Sequence, residues 1–99
     1  MTTEFIRTDE INDDILARAG EIIRRGGLVV FPTETVYGLG ANALDAAAAK
    51  KVYAAKGRPS DNPLITHIAT PEDADKYAVT SETYRRLARA FMPGPLTVI

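Results

Sequence analysis

Cysteine is absent from the 99 residues, which excludes a disulfide framework, a thiolate nucleophile and a zinc–thiolate site. That composition suits a reducing compartment. There is one histidine, too few for a dedicated His-based metal centre. The N-terminus, MTTEFIRTDE, has neither the basic nor the apolar region of a secretory signal. No apolar run approaches the ~20 residues that cross a bilayer, so no membrane association is expected and the localisation expected is cytoplasmic. Excess charge is lacking too: 12 Lys+Arg face 13 Asp+Glu, for a net charge of −1 and a pI near 5.8. This excludes a wholly basic nucleic-acid binder but leaves room for a local basic site. Neither GxxxxGK[ST] nor GxGxxG occurs, so no standard phosphate-binding loop is present.

What is there is the material of an ordinary globular domain, 45% apolar and 25% charged. The length allows one domain with a modest core. Residues 13–25 carry Ile15, Ala19, Ile22 and Ile23 on one helical stripe, with Asn12 as N-cap and Gly26-Gly27 as the stop. Leu28–Phe31 is too short for a helix and reads as a strand buried on both faces, ended by Pro32. A second helix runs from the N-cap Asp45 to about Ala55, stopped by Gly57 and Pro59. Leu64–Ile68 reads as a strand, Thr70-Pro71 opens a short helix, and Ser81–Phe91 forms another that buries Tyr84, Leu87, Ala88 and Phe91. Pro93-Gly94-Pro95 breaks it before a strand at Leu96–Ile99. This order predicts an α/β fold with some parallel pairing, and a chain that stops inside a core strand predicts part of a larger domain.

Three segments can carry chemistry. Phe31–Gly40, FPTETVYGLG, follows a strand, where α/β proteins place their sites. Its two threonines, Glu34 and Tyr37 beside glycines can bind a small polar ligand, or simply form a tight turn. In KKVYAAKGRPSDN (50–62), Lys50 and Lys51 read as solvated helix surface. Lys56 and Arg58 straddle Gly57 at the helix exit, a lysine point charge with an arginine fork that suits a polyphosphate. Ser60 and Asn62 can add donors. The competing reading, basic residues complementing a helix C-terminus, accounts for Lys56 better than for Arg58. His67, inside an apolar stretch, is either a packed side chain or a ligand contact. Arg85, Arg86 and Arg89 lie on one predicted helix, as a solvated face or a phosphate-contacting stripe.

FPTETVYGLGANA (Phe31–Ala43), KGRPSDNPLITHI (Lys56–Ile68) and FMPGPLTVI (Phe91–Ile99) together closely resemble the threonylcarbamoyl-AMP synthase family, the YrdC-like proteins. The three blocks keep the family's order and spacing; the first 25 residues resemble it only loosely. The resemblance implies an open, twisted, mixed α/β sheet of the YrdC-like (DHBP synthase-like) kind. Residues 1–99 would form the N-terminal portion of a single domain. It also implies an ATP-dependent nucleotidyltransferase that makes L-threonylcarbamoyladenylate from L-threonine, bicarbonate or CO₂, and ATP, with release of pyrophosphate. Partner proteins then use the product to modify tRNA. By the same resemblance Thr35 and His67 would contact L-threonine, and Lys56, Arg58 and Asn62 the nucleotide, with Lys56 and Arg58 the catalytic pair. Mg²⁺ would arrive with ATP rather than at a protein metal site. The carbamate oxygen would attack the α-phosphate in line, so the protein's task is alignment and charge neutralisation.

The family's distal Ser-x-Asn motif has no counterpart here; Ser60-Asp61-Asn62 has the spelling but sits beside KxR. The 99 residues alone are therefore expected to be inactive, and to self-associate through an exposed sheet edge. Alternatives are an RNA-binding module for tRNA or double-stranded RNA, a related carbamoyl-transfer protein, and a YciO-like relative.

Overall fold

Caps and turn residues set the boundaries of nearly every element in the computed structural model, which describes residues 2–57 and 63–99. The chain divides into two units, Met1–Asn62 and Pro63–Ile99.

The first unit opens with a 3-10 turn at Thr8–Glu10 and continues into helix α1, Asp13–Arg24. Asn12 caps α1 by accepting the Ile15 N–H at 3.0 Å, and Asp13 and Asp14 sit at the positive end of its dipole. Gly26 takes a left-handed conformation (φ 87°) and ends the helix. Its N–H donates to the Ile23 carbonyl at 3.0 Å, and the next N–H, of Gly27, reaches back to Ile22 at 2.9 Å. This pair of bonds satisfies two of the carbonyls that a helix end leaves open. The anticipated stripe is partly realised: Ile15, Ala19 and Ile23 are half-buried, while Ile22 is exposed.

Strand β1, Val29–Phe31, lies against α1 and pairs with β2, Gly38–Gly40. The pairing is antiparallel, with Val29 opposite Gly40 and Phe31 opposite Gly38. Two sequence expectations are corrected here. The strand at Leu28–Phe31 is not buried on both faces, since Val30 is 64% exposed. Nor is its observed pairing parallel: the neighbour is the segment that follows it, and a hairpin needs no crossover helix.

Helix α2, Ala46–Lys56, is capped by Asp45, which accepts from Ala47 N and Ala48 N at 3.0 and 3.2 Å. It ends at Gly57 in the left-handed region. Ala48 and Val52, one turn apart, are buried. Lys51 is not merely solvated surface, as the sequence suggested: its Nζ donates to the Gly26 carbonyl at 2.8 Å. The α1 terminus is thereby tied to α2.

In the second unit Thr70 opens a 3-10 helix at Pro71–Lys76, and its N–H donates to Asp73 Oδ2 at 3.1 Å. Helix α3, Glu82–Phe91, is capped by Ser81, whose hydroxyl accepts the Tyr84 N–H at 3.1 Å. The Tyr84 hydroxyl donates to the Pro71 carbonyl at 2.8 Å and so joins α3 to the 3-10 helix. Of the residues expected inside, Ala88 is buried, Tyr84 and Leu87 are half-buried and Phe91 is 61% exposed. The strands expected at Leu64–Ile68 and Leu96–Ile99 are absent: neither segment carries a ladder. Apolar β-formers become a strand only when a neighbour takes up their main-chain groups, and Ile65 instead stands 61% exposed. Among the described residues no helix is long and apolar enough to cross a membrane.

Candidate functional site

The loop that joins β1 to β2, Pro32–Tyr37, presents the threonines and Glu34 together. Its closure depends on the residues flanking it. The Phe31 ring lies across the two glycines of β2: an added Cβ at Gly40 would stand 2.8 Å from Phe31 Cε1, and one at Gly38 would stand 3.1 Å from the ring. Only glycine allows so close an approach at these positions. The Thr33 methyl fills the remaining space beside Gly38, 3.3 Å from where its Cβ would lie.

Inside the loop the Thr33 hydroxyl is the hub. It accepts the Thr35 N–H at 3.2 Å, donates to the Val36 carbonyl, and stands 3.4 Å from Thr35 Oγ1. A threonine hydroxyl that bonds the backbone two residues on is a turn-forming device. Here it leaves Thr35 exposed. Tyr37 and Val36, 69% and 74% exposed, flank it. Such a surface offers hydroxyl and carboxylate oxygens beside apolar area, which suits a small amphipathic ligand.

The other residues singled out from sequence lie elsewhere. Lys56 is the last residue of α2, exposed, with its charge at the negative end of the helix dipole. Arg58 and Asn62 lie outside the described residues. His67 is exposed in the ladder-free segment at the start of the second unit. Thr35 and Lys56 thus share the first unit, on a hairpin turn and a helix end, and His67 belongs to the second. Among the described residues no three His, Asp or Glu side chains cluster to hold a metal.

A concavity of about 380 Å³ in the second unit is lined by Pro71, Asp75, Thr80, Tyr84, Arg85 and Met92, among others. Its polar groups are largely spent on one another. Thr80 Oγ1 donates to Asp75 at 2.5 Å, Arg85 reaches Thr80 at 3.4 Å, and Tyr84 is committed to Pro71. It is a packed joint rather than a ligand site. Nearby, Arg85 and Arg89 both pair with Glu82, at 3.7 and 3.2 Å. The arginine face is therefore partly neutralised.

Sequence reasoning missed two features that shape the first unit. The role of Lys51 rests on a contact 25 positions away and has no local signal. The fit of Phe31 over Gly38 and Gly40 does have one: an aromatic strand residue followed by glycines in alternation.

Residues 21–99 match the family model for Sua5, YciO and YrdC proteins, which carries the description "Telomere recombination". The chain belongs to the Sua5/YciO/YrdC family. It is 57% identical over 82 residues to the threonylcarbamoyl-AMP synthase of Pyrococcus abyssi, covering 82% of this chain and 24% of that one. The Bacillus subtilis threonylcarbamoyl-AMP synthase is 52% identical over 95 residues, covering 93% and 28%. Among solved structures, P. abyssi Sua5 complexed with L-threonine superposes with a TM-score of 0.79 at 51% identity, over 86% of this chain and 25% of that one. The α/β fold expected from sequence is therefore that of Sua5 proteins. The chain spans about a quarter of the length of these relatives.

Proposed function

We propose that this chain forms the L-threonine- and ATP-facing portion of a threonylcarbamoyl-AMP synthase. The observation that carries the reading is the Pro32–Tyr37 loop: a hydroxyl-organised turn that exposes Thr35, in a chain 51% identical to a Sua5 protein solved with L-threonine. Thr35 contacts the substrate threonine, and His67 approaches the same ligand. Lys56, Arg58 and Asn62 take the nucleotide. The threonine amine adds to CO₂ to give a carbamate, whose oxygen attacks the α-phosphate and displaces pyrophosphate. Lys56 and Arg58 offset the charge that grows on the leaving group, and Mg²⁺ enters bound to the ATP phosphates. No protein nucleophile is needed. The adenylate then serves tRNA modification in the cytoplasm.

The test is pyrophosphate exchange into ATP, dependent on L-threonine and bicarbonate, measured in the full-length synthase that carries this segment. Lys56→Ala combined with Arg58→Ala should lower the exchange rate by about 100-fold or more while circular dichroism stays unchanged. Full exchange in the double variant would remove the phosphate site from this segment. The RNA-binding alternative is weakened by the pairing of Arg85 and Arg89 with Glu82.

A further inference from the structure

The joint between α3 and the 3-10 helix depends on a single proton. Tyr84 and Met92 stand eight residues apart, close to two helical turns, and so share one face at the end of α3. The Tyr84 hydroxyl lies between two acceptors, the Pro71 carbonyl at 2.8 Å and Met92 Sδ at 3.8 Å. A thioether accepts hydrogen bonds only weakly, so the proton goes to the carbonyl and ties the 3-10 helix to α3. Met92 is fixed by its own backbone, whose N–H donates to the Ala88 carbonyl at 2.9 Å. It is half-buried and lines the concavity of about 380 Å³ beside Pro71 and Tyr84. A small polar oxidant therefore has a path to its side chain, and there is room beside it for one added atom.

We propose that Met92 is a modification site for hydrogen peroxide, and that its sulfoxide draws the Tyr84 proton away from Pro71 and loosens the 3-10 helix from α3. The sulfur lone pair attacks one peroxide oxygen. An S–O bond forms, the O–O bond breaks, and the departing hydroxide takes the remaining proton and leaves as water. Sulfur loses two electrons and the peroxide gains them. An apolar side chain with a weak acceptor thereby becomes a polar one, next to a hydroxyl already aimed at the joint. Tyr84 has one proton to give, so what the sulfoxide oxygen receives the Pro71 carbonyl loses. The change is reversible, because methionine sulfoxide is reduced by dedicated reductases, one for each epimer at sulfur. None of Thr35, Lys56 and His67 takes part, so the device stands independently of the reaction proposed above.

The experiment treats the full-length protein that carries this segment with graded hydrogen peroxide and reads the Met92 peptide by mass spectrometry. Amide exchange is followed in parallel at Asp73, Tyr77 and Ala78, whose N–H groups bond the Thr70 and Ala74 carbonyls. Met92 should gain one oxygen at a rate within about tenfold of a free methionine peptide, as its partial exposure allows. Exchange at the three amides should then speed about five- to tenfold, the worth of one hydrogen bond, and return to its original rate after reductase treatment. Met92→Leu should show neither change. Tyr84→Phe, with no proton to move, should start at the faster exchange and gain nothing from oxidation. Met92 left unoxidised while a methionine peptide in the same tube is consumed would overturn the site. Sulfoxide at Met92 with the three amides unmoved would overturn the switch, as would an equal acceleration in Tyr84→Phe. The first two of these outcomes are read in the unsubstituted protein, so they decide the matter even if a variant folds poorly.

Discussion

The sharpest check on the hairpin is a single methyl group. Gly40→Ala places a Cβ 2.8 Å from Phe31 Cε1, closer than two carbons approach without one of them moving. The backbone itself offers no objection: among the described residues only Gly26 and Gly57 have positive φ, so alanine is conformationally acceptable at position 40. Two effects then oppose each other. Restricting the unfolded chain stabilises by about 0.4–1 kcal/mol, whereas forcing a ring out of a fitted position costs about 1–3 kcal/mol. The overlap wins by about 1–2 kcal/mol, which corresponds to a fall in Tm of roughly 5–10 °C for a chain of this size. Phe31→Leu removes the ring atom concerned. The double variant should therefore be less destabilised than the sum of the singles, with a coupling of about 1 kcal/mol. Urea unfolding followed by circular dichroism on the four proteins closes the cycle. Gly40→Ala that is neutral or stabilising, or strict additivity with Phe31→Leu, would show that the ring does not lie over β2.

Two further outcomes follow from the helix ends. Gly26→Ala forces a side chain into a left-handed residue, φ 87°, with its Cβ 3.2 Å from Asp45 Oδ2; a cost of about 1–2 kcal/mol should appear as a lower urea midpoint, and an unchanged midpoint would refute the turn. The Lys76 ammonium, and then the Thr70 N–H, hold the Asp73 carboxyl below its ordinary value of 3.8. A depressed folded pKa means stability that is present above the ordinary value and lost as pH falls through the folded one. Melting temperature should therefore decline as pH is lowered from near 4, and Asp73→Asn should flatten that decline; an identical slope in the variant would sink the assignment. Lys76, raised by the same pair, contributes loss only above its ordinary 10.5.

What could be read from the sequence divides along the range of the forces involved. Asn12, Asp45, Thr70 and Ser81 each precede the element they were expected to start, because a cap needs only a short polar side chain and the N–H groups two or three positions on. Gly26-Gly27 and Gly57 stop their helices for equally local reasons. Strands are different. Leu64–Ile68 and Leu96–Ile99 have the composition of strands, yet composition does not supply the neighbour that makes one. The hairpin shows the converse: Gly38-Leu39-Gly40 has poor β propensity and still pairs, because Phe31 packs over the space its missing side chains leave.

The site divides in the same way. The part of it that the structure places in atomic detail is the loop whose interactions close within Thr33–Val36, where a threonine, the residue two on and a carbonyl three on are enough to settle a hydroxyl's direction. Lys56 was legible as a charge at a helix end, and it stands there. A phosphate, however, is held by charges converging from separate segments, and convergence is a property of the assembled domain rather than of any one of them. The chain covers 24% and 28% of the two synthases described above. The exposed Val30, Val36 and Tyr37 around the loop are apolar surface of the kind that a ligand or a further layer of protein covers. The turn around Thr35 is therefore closed by its own neighbours alone, whereas any grouping of charges able to hold a phosphate must draw its geometry from more of the fold than a short motif encodes.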